Sequence, residues 1–351
     1  MSTWDRLSGL ALAVEDYTLE DRRADFGTFV RATTTIHLRG RADEGLGEDV
    51  VYAVEEHDAL QAAGPVQPLA GEWTLASFCE HVGSLDLFPE PPGTEVSRRY
   101  RRWAFESAAL DLALRQAGAA LHEVLEREPV PLTFVNSLRL GEPPSLEPVR
   151  ARLELYPTLR MKLDATSSWT DEIFDELARG GAVDSVDLKG FYRGTIVDQG
   201  PDPVLYQRVV DHFPDAWIED PWLTDETRPV LEPHRDRVTW DAPIHDLADL
   251  DELPWPPKMI NVKPSRVGSL RGLCEFYDAC DERGIGMYGG GQGERGVGRG
   301  HIQLLAALFH PHTPNDVAPR GYNDRIPPPG LPSSPLDPAP EPIGFRRRGD
   351  D

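Results

Sequence analysis

The chain has 351 residues, with 59 acidic against 36 basic side chains and a formal charge of −23. That length suits a large core and more than one domain, while the acidic excess excludes general binding to nucleic acid or an anionic membrane surface. No stretch approaches the ~18 consecutive apolar residues of a membrane span. The three cysteines (Cys79, Cys274, Cys280) form no even framework or metal-like cluster, and MSTWDRLSGL is no signal peptide, so a cytoplasmic location is expected.

Residues 7–55 alternate in the manner of strands, at 7–14, 28–38 and 50–53, with Gly45-Leu46-Gly47-Glu48 expected as the turn of an antiparallel hairpin. From residue 56 the pattern turns helical, most strongly over 97–125, where Trp103, Ala104, Ala108, Leu110, Leu112, Leu114, Ala117 and Leu121 make overlapping apolar faces. Residues 1–128 therefore read as a small α+β domain.

From about residue 130 strand and helix alternate, which argues for a parallel sheet. Strands are expected at 132–138, 158–164, 183–189, 216–219, 237–241, 259–263 and 285–288, with helices including 170–179, 203–213 and 269–283. Seven such units and a short final strand near 316–318 would close a barrel over 129–320; an open doubly wound sheet is the alternative, but it needs no such even repeat. Residues 321–351, rich in proline, are expected as an extended tail, packed along the barrel or disordered.

Three of the expected strands end on charge. Trp217-Ile218-Glu219-Asp220-Pro221 stops on two acids, Thr239-Trp240-Asp241 on one, and Ile260-Asn261-Val262-Lys263 on a lysine. From Glu219 to Asp241 is 22 positions, and from Asp241 to Lys263 is 22 again. Equal spacing puts the three groups at equivalent points of successive βα units, the strand ends that open on one face of a barrel. The preceding strands add Arg160, Lys162 and Asp164 on one side, then Asp187 and Lys189, by the period-two alternation of strands. Asp187, Glu219 and Asp241 offer an all-oxygen site of the kind hard divalent cations choose, Mg²⁺ above all, with Asp164 a rival for Asp187. Lys162 and Lys263 flank it, and a lysine whose pKa is depressed by burial and nearby positive charge serves as a base. The competing reading of these residues is salt bridges at strand ends.

The order Lys, Asp, Glu, Asp, Lys on successive strands resembles the enolase superfamily, as a divergent member nearest its muconate-lactonising and o-succinylbenzoate synthase branch. Ile218-Glu219-Asp220-Pro221, the segment from Asn261 to Gly268, Gly289-Gly290-Gly291-Gln292-Gly293-Glu294 and Gly296-Val297-Gly298-Arg299 are similar to that branch's strand-end motifs. Gly45–Glu48 and the segment from Ala108 to Leu114 resemble its capping domain. The resemblance covers roughly residues 7–320. It implies an α+β capping domain on a modified (β/α)₇β TIM-like barrel. It further implies one Mg²⁺ on Asp187, Glu219 and Asp241, Lys162 and Lys263 as opposed acid/base residues, and a proton taken from the carbon α to a carboxylate. The reaction would be racemisation, epimerisation, cycloisomerisation or syn-elimination of a small-molecule carboxylate, by a homo-oligomer.

Arg160 stands where the branch usually has lysine and is expected to reach substrate, as are Gln292 and Glu294; Glu294 otherwise orients Lys263. Lys189 stands where the family usually has asparagine. It would compete with Mg²⁺ for the acids, act as a third catalytic cation, or reach a substrate anion. Asp241 is followed by Ala242 where the family usually has glutamate, and the 32 residues from Asp187 to Glu219 imply an enlarged loop, 190–200, over the mouth. These departures keep a second class open: a carboxylate-binding relative that is non-catalytic or metal-free. The glycines of 289–300 lack the Lys-Ser/Thr of a phosphate loop and read as tight-turn chemistry.

Overall fold

The computed structural model of the chain describes residues 1–27, 29–195 and 197–349. Thr28 of the expected strand 28–38, Ile196 of the expected loop 190–200 and the last two residues of the expected tail lie outside the described residues. The chain opens with a helix, Thr3–Ser8, capped by the Ser2 side chain, so the strand expected at 7–14 shortens to β1 (Ala11–Val14). β2 (Asp16–Asp25), β3 (Val30–Gly40) and β4 (Asp43–Asp49) form an antiparallel meander, and β5 (Gly71–Thr74) pairs with β1.

The expected turn at Gly45–Glu48 lies inside β4 instead, opposite Leu38 to Thr35 of β3. The chain reverses at Arg41-Ala42, both at positive φ. The glycines serve packing: a Cβ on Gly45 would overlap the carbonyl oxygen of Ala108, and one on Gly47 that of Ala104. The helix Glu95–Ala117 thus lies directly on the strand, the close backbone approach that glycine in a strand permits. The helix expected over 97–125 stops at Gly118, left-handed at φ 66°, and resumes as Leu121–Leu125. Position 50–53, expected as a strand, follows β4 as irregular chain whose Val50 and Val51 are buried.

The second part is a parallel barrel. β6 (Val135–Arg139), β7 (Arg160–Asp164), β8 (Val183–Asp187), β9 (Trp217–Glu219) and β10 (Val238–Thr239) pair in sequence order. β11 (Met259–Val262) pairs with β12 (Gly286–Gly289). Parallel bridges Trp240–Ile260, Gly290–Asp316 and Phe134–Asn315 complete the ring, so the expected final strand is reduced to Asn315 and Asp316. The fold is a (β/α)₇β barrel behind a capping unit, with crossover helices that include Asp171–Gly180, Pro203–His212 and Leu270–Arg283. Met161, Leu163, Val186, Ile218, Val238, Ile260 and Val262 are buried in its core, each side chain stabilising by roughly 1.5–3 kcal/mol. In register, Asp164 stands opposite Asp187 and Asp187 opposite Glu219. Parallel pairing therefore brings the acids to one end.

The proline-rich tail packs back on the molecule: Leu336 bridges Leu132, Gly344 bridges Ala120, and Arg346 Nε donates to Asp111 at 2.6 Å. No helix among the described residues is long and apolar enough to cross a membrane, and the three cysteines are buried and unpaired.

Candidate active site

Charged groups from β7 to the end of β11 meet in one ion-paired cluster. Lys162, from the middle of β7 and 2% exposed, places Nζ 2.5 Å from Glu219 Oε1, 3.6 Å from Asp187 Oδ2 and 3.4 Å from Asp316. Tyr288 on β12 donates its phenol to the other Glu219 oxygen. Beyond β8, Lys189 turns back on Asp187: its backbone N–H donates to Oδ1 at 2.9 Å and its ammonium pairs with Oδ2. Asp241, just past β10, pairs with Lys263 Nζ at 2.7 Å and with the Arg266 guanidinium. Arg266 lies in the short helix Pro264–Val267 that follows β11, which carries Lys263 and Arg266 to the same carboxylate. Asp220, left-handed at φ 50°, accepts the backbone N–H groups of Asp241 and Ala242 at 2.8 and 2.9 Å.

The electrostatics follow from burying so many charges together. Burial pushes the Glu219 carboxyl up, the Lys162 ammonium opposes this, and the neighbouring acids add to it. Burial, with Asp241 and Asp187, pushes Asp220 up to about 7. Burial also acts on Asp187, but the ammoniums of Lys189 and Lys162 hold it down at about 2. Asp241 is held low by Arg266 and Lys263 against the same burial. Burial alone would depress Lys162, as expected of a base; Glu219, Asp316 and Asp187 outweigh it and hold the ammonium well above its ordinary range. With Asp220, the ion-paired cluster holds six carboxylates (Asp164, Asp187, Glu219, Asp220, Asp241, Asp316) and four cations (Lys162, Lys189, Lys263, Arg266). Carboxylates outnumber cations there, and burial with neighbouring acids raises Glu219, Asp220 and Asp164 toward their neutral forms.

Among the described residues, the acids whose oxygens lie within 4.8 Å of one another are Asp187, Glu219 and Asp220. By proximity the third acid is thus Asp220, where the sequence pointed to Asp241. Both Asp220 oxygens are fixed on backbone amides, whereas Asp187, Glu219 and Asp241 are each held by a lysine ammonium, a cation that another cation can replace. The oxygen-only donor set fits Mg²⁺.

The structure places Arg160, expected to reach substrate, at the start of β7. It shares a strand side with Lys162 but sits at the opening end of β7, where it pairs with Asp184 and donates to Gly181 O at 2.5 Å. Gln292 and Glu294 lie at the seam with the capping unit: Gln292 accepts from Tyr52 at 2.8 Å and donates to Tyr100 at 3.1 Å, while Glu294 pairs with Arg299 at 3.1 Å rather than with Lys263. Glu48 clamps the same segment, accepting the N–H groups of Arg295, Gly296 and Gly298 at 2.6–2.8 Å. The glycine run makes room: a Cβ on Gly290 would stand 2.6 Å from Lys263 Cε. The enlarged loop does reach the site, through Tyr192, whose phenol donates to Asp241 Oδ2 at 3.3 Å.

Tyr192, Tyr288, Arg266 and Asp316 were not singled out in the sequence; Arg266, three positions after Lys263, carried the clearest signal. A cavity of about 170 Å³ lined by Ser137, Gly291, Gly293, Arg299, Asp316 and Asn323 adjoins the cluster through the Asp316–Lys162 pair. A larger one, about 320 Å³, lies at the cap–barrel seam beside Arg98, Arg99 and Arg102 and includes none of the cluster's residues.

Residues 128–324 match the family described as "Domain of unknown function (DUF8230) C-terminal domain", and residues 5–124 match its N-terminal domain. The o-succinylbenzoate synthases of Geobacillus stearothermophilus and Bacillus subtilis are 25% and 24% identical over 61% and 66% of this chain. The chain spans 58% and 62% of their lengths. Among solved structures, a dipeptide epimerase from Methylococcus capsulatus, complexed with Mg and the dipeptide L-Arg-D-Lys, superposes with a TM-score of 0.66 at 19% identity, covering 87% of this chain and 90% of that one.

Proposed function

Because the chain belongs to the DUF8230 family and has the fold of the enolase superfamily, we propose that it is an enzyme removing a proton from the carbon α to a carboxylate, with Lys162 and Lys263 as acid/base residues. The observation that carries this reading is the bracketing of the cluster. Acids from β8, β9 and the end of β10 stand between a lysine on β7 and a lysine at the end of β11, each lysine paired with a different acid. Two lysines so placed can address the two faces of one substrate carbon, one removing a proton and the other returning it.

Asp187, Glu219 and Asp241 would hold one Mg²⁺. Bound there, the ion would stabilise the negative charge that develops on the substrate carboxylate when the α-proton leaves. Lys162 is held as an ammonium by three carboxylates and is in that state a proton donor; it becomes a base when their charge is neutralised. Its 2% exposure keeps bulk water from the transferred proton. Arg266 and Tyr192 fix Asp241 from the other side. Racemisation, epimerisation, cycloisomerisation and syn-elimination all share the step, and the curated relatives make o-succinylbenzoate synthesis the first to assay.

One observation favours a second reading, a carboxylate-binding relative without turnover: the Lys189 ammonium on Asp187. Incubation with Mg²⁺ and a carboxylate library in D₂O, followed by NMR, separates the two. Loss of α-proton signal from a compound is the expected result. No exchange with any compound, together with no Mg²⁺ uptake by calorimetry, would favour the binder.

A further inference from the structure

We propose that Lys189 is a resident counter-cation of the acid cluster, competing with the divalent cation for Asp187 and so setting the metal affinity of the site. This rests on the reading above that Asp187 is a metal ligand. One residue holds both oxygens of that carboxylate, Oδ1 through its backbone N–H at 2.9 Å and Oδ2 through its ammonium. The wrap requires φ 52° at Lys189, the left-handed region that asparagine and glycine enter more readily than lysine. Lys162 stands 3.6 Å from the same Oδ2, so two ammoniums converge where the ion would bind.

Lys162 and Lys263 have substrate to act on once released from their acids; Lys189 has another place to go. Its ammonium is 3.5 Å from Asp164 Oδ1, a buried oxygen that receives no hydrogen bond, and 5.0 Å from the centre of the Tyr192 ring. Exchange of cation for cation therefore leaves neither Lys189 nor Asp187 stranded. A unit positive charge within a few ångströms of a divalent ion in a buried site opposes its binding strongly, so removing that charge tightens it.

The test is titration of the full chain with MgCl₂ by calorimetry, comparing wild type, Lys189→Asn and Lys189→Met. Asparagine suits the left-handed backbone, methionine supplies no oxygen ligand, and circular-dichroism melts establish that each variant is folded. Both variants are expected to bind Mg²⁺ at least ~10-fold more tightly, and Asp164→Asn, which removes the alternative partner, to bind more weakly than wild type. Binding by both variants with none by wild type supports the proposal equally. A gain in Lys189→Asn alone would assign the effect to the new amide ligand and overturn it. Wild-type binding with no gain in either variant overturns this inference alone; silence in all three overturns it together with the metal reading.

Discussion

The ammonium of Lys162 lies 2.5 Å from Oε1 of Glu219, two strands away in the barrel and with both side chains closed to solvent. Removing one partner of such a pair leaves a buried charge uncompensated, at a cost of about 3–5 kcal/mol. Lys162→Met should therefore destabilise the metal-free protein by roughly that amount. Adding Glu219→Gln to it should recover part of the loss, because the surviving amide carries no charge. Urea denaturation of the two single variants and the double variant reads the coupling.

Gly290 is predicted to matter to chemistry more than to stability. An alanine methyl there would stand 2.6 Å from Lys263 Cε and 2.5 Å from Asn261 Oδ1. The end of a lysine side chain can move aside, so Gly290→Ala should cost only about 1–2 kcal/mol. The displaced ammonium should nonetheless slow α-proton exchange by about tenfold or more. Thermal melts and exchange rates on the same preparation separate the two effects.

The pH dependence of stability should carry a mark of Asp220. Its carboxyl is raised in the folded chain to about 7, from an ordinary value of 3.8, by burial and by Asp241 and Asp187. A raised carboxyl favours the fold fully below its unfolded pKa, and this contribution is lost as pH rises from about 4 through 7. Glu219, also raised, adds in the same direction; Asp187, lowered to about 2, acts only below pH 4 and with opposite sign. In EDTA, the wild type should lose roughly 2–4 kcal/mol more than Asp220→Asn between pH 5 and pH 8. Parallel pH profiles offset by a constant would contradict this.

Gly47→Ala should be among the most damaging single changes in the capping unit. The added methyl would overlap the backbone oxygen of Ala104, which a helix cannot move without shifting as a whole. A loss above about 3 kcal/mol is expected. Gly9→Ala, with nothing within 4 Å of the new methyl and ordinary backbone at φ −86°, should be nearly neutral. Chemical denaturation of the pair tests the packing argument.

The barrel was legible because buried parallel strands read as short apolar runs and because their charged ends recur at equal intervals. Glu219 ends β9, Asp241 lies two residues past β10 and Lys263 directly follows β11, all at or near the strand ends to which the spacing pointed. Periodicity gives the side of a strand but not the height along it, which is why Arg160, on the side of Lys162, reaches Asp184 at the other end instead. Gly45–Glu48 has the composition of a turn, and only the helix lying on it shows that the glycines answer a packing need. Partners such as Tyr192, Tyr288 and Asp316 come from loops and strands far along the chain, brought together by closure of the barrel. The sequence pointed to Asp187, Glu219 and Asp241 but not to Asp316; which cation sits on which acid is a property of the folded mouth.

The most direct test of the central claim is NMR measurement of α-proton exchange in D₂O with Mg²⁺, comparing wild type with Lys162→Ala and Lys263→Ala as folded proteins. The wild type should exchange the α-proton of its carboxylate substrate, and each variant should lose exchange on at least one face of that carbon. Wild-type rates on both faces in both variants would contradict the assignment of the two lysines as the acid/base pair.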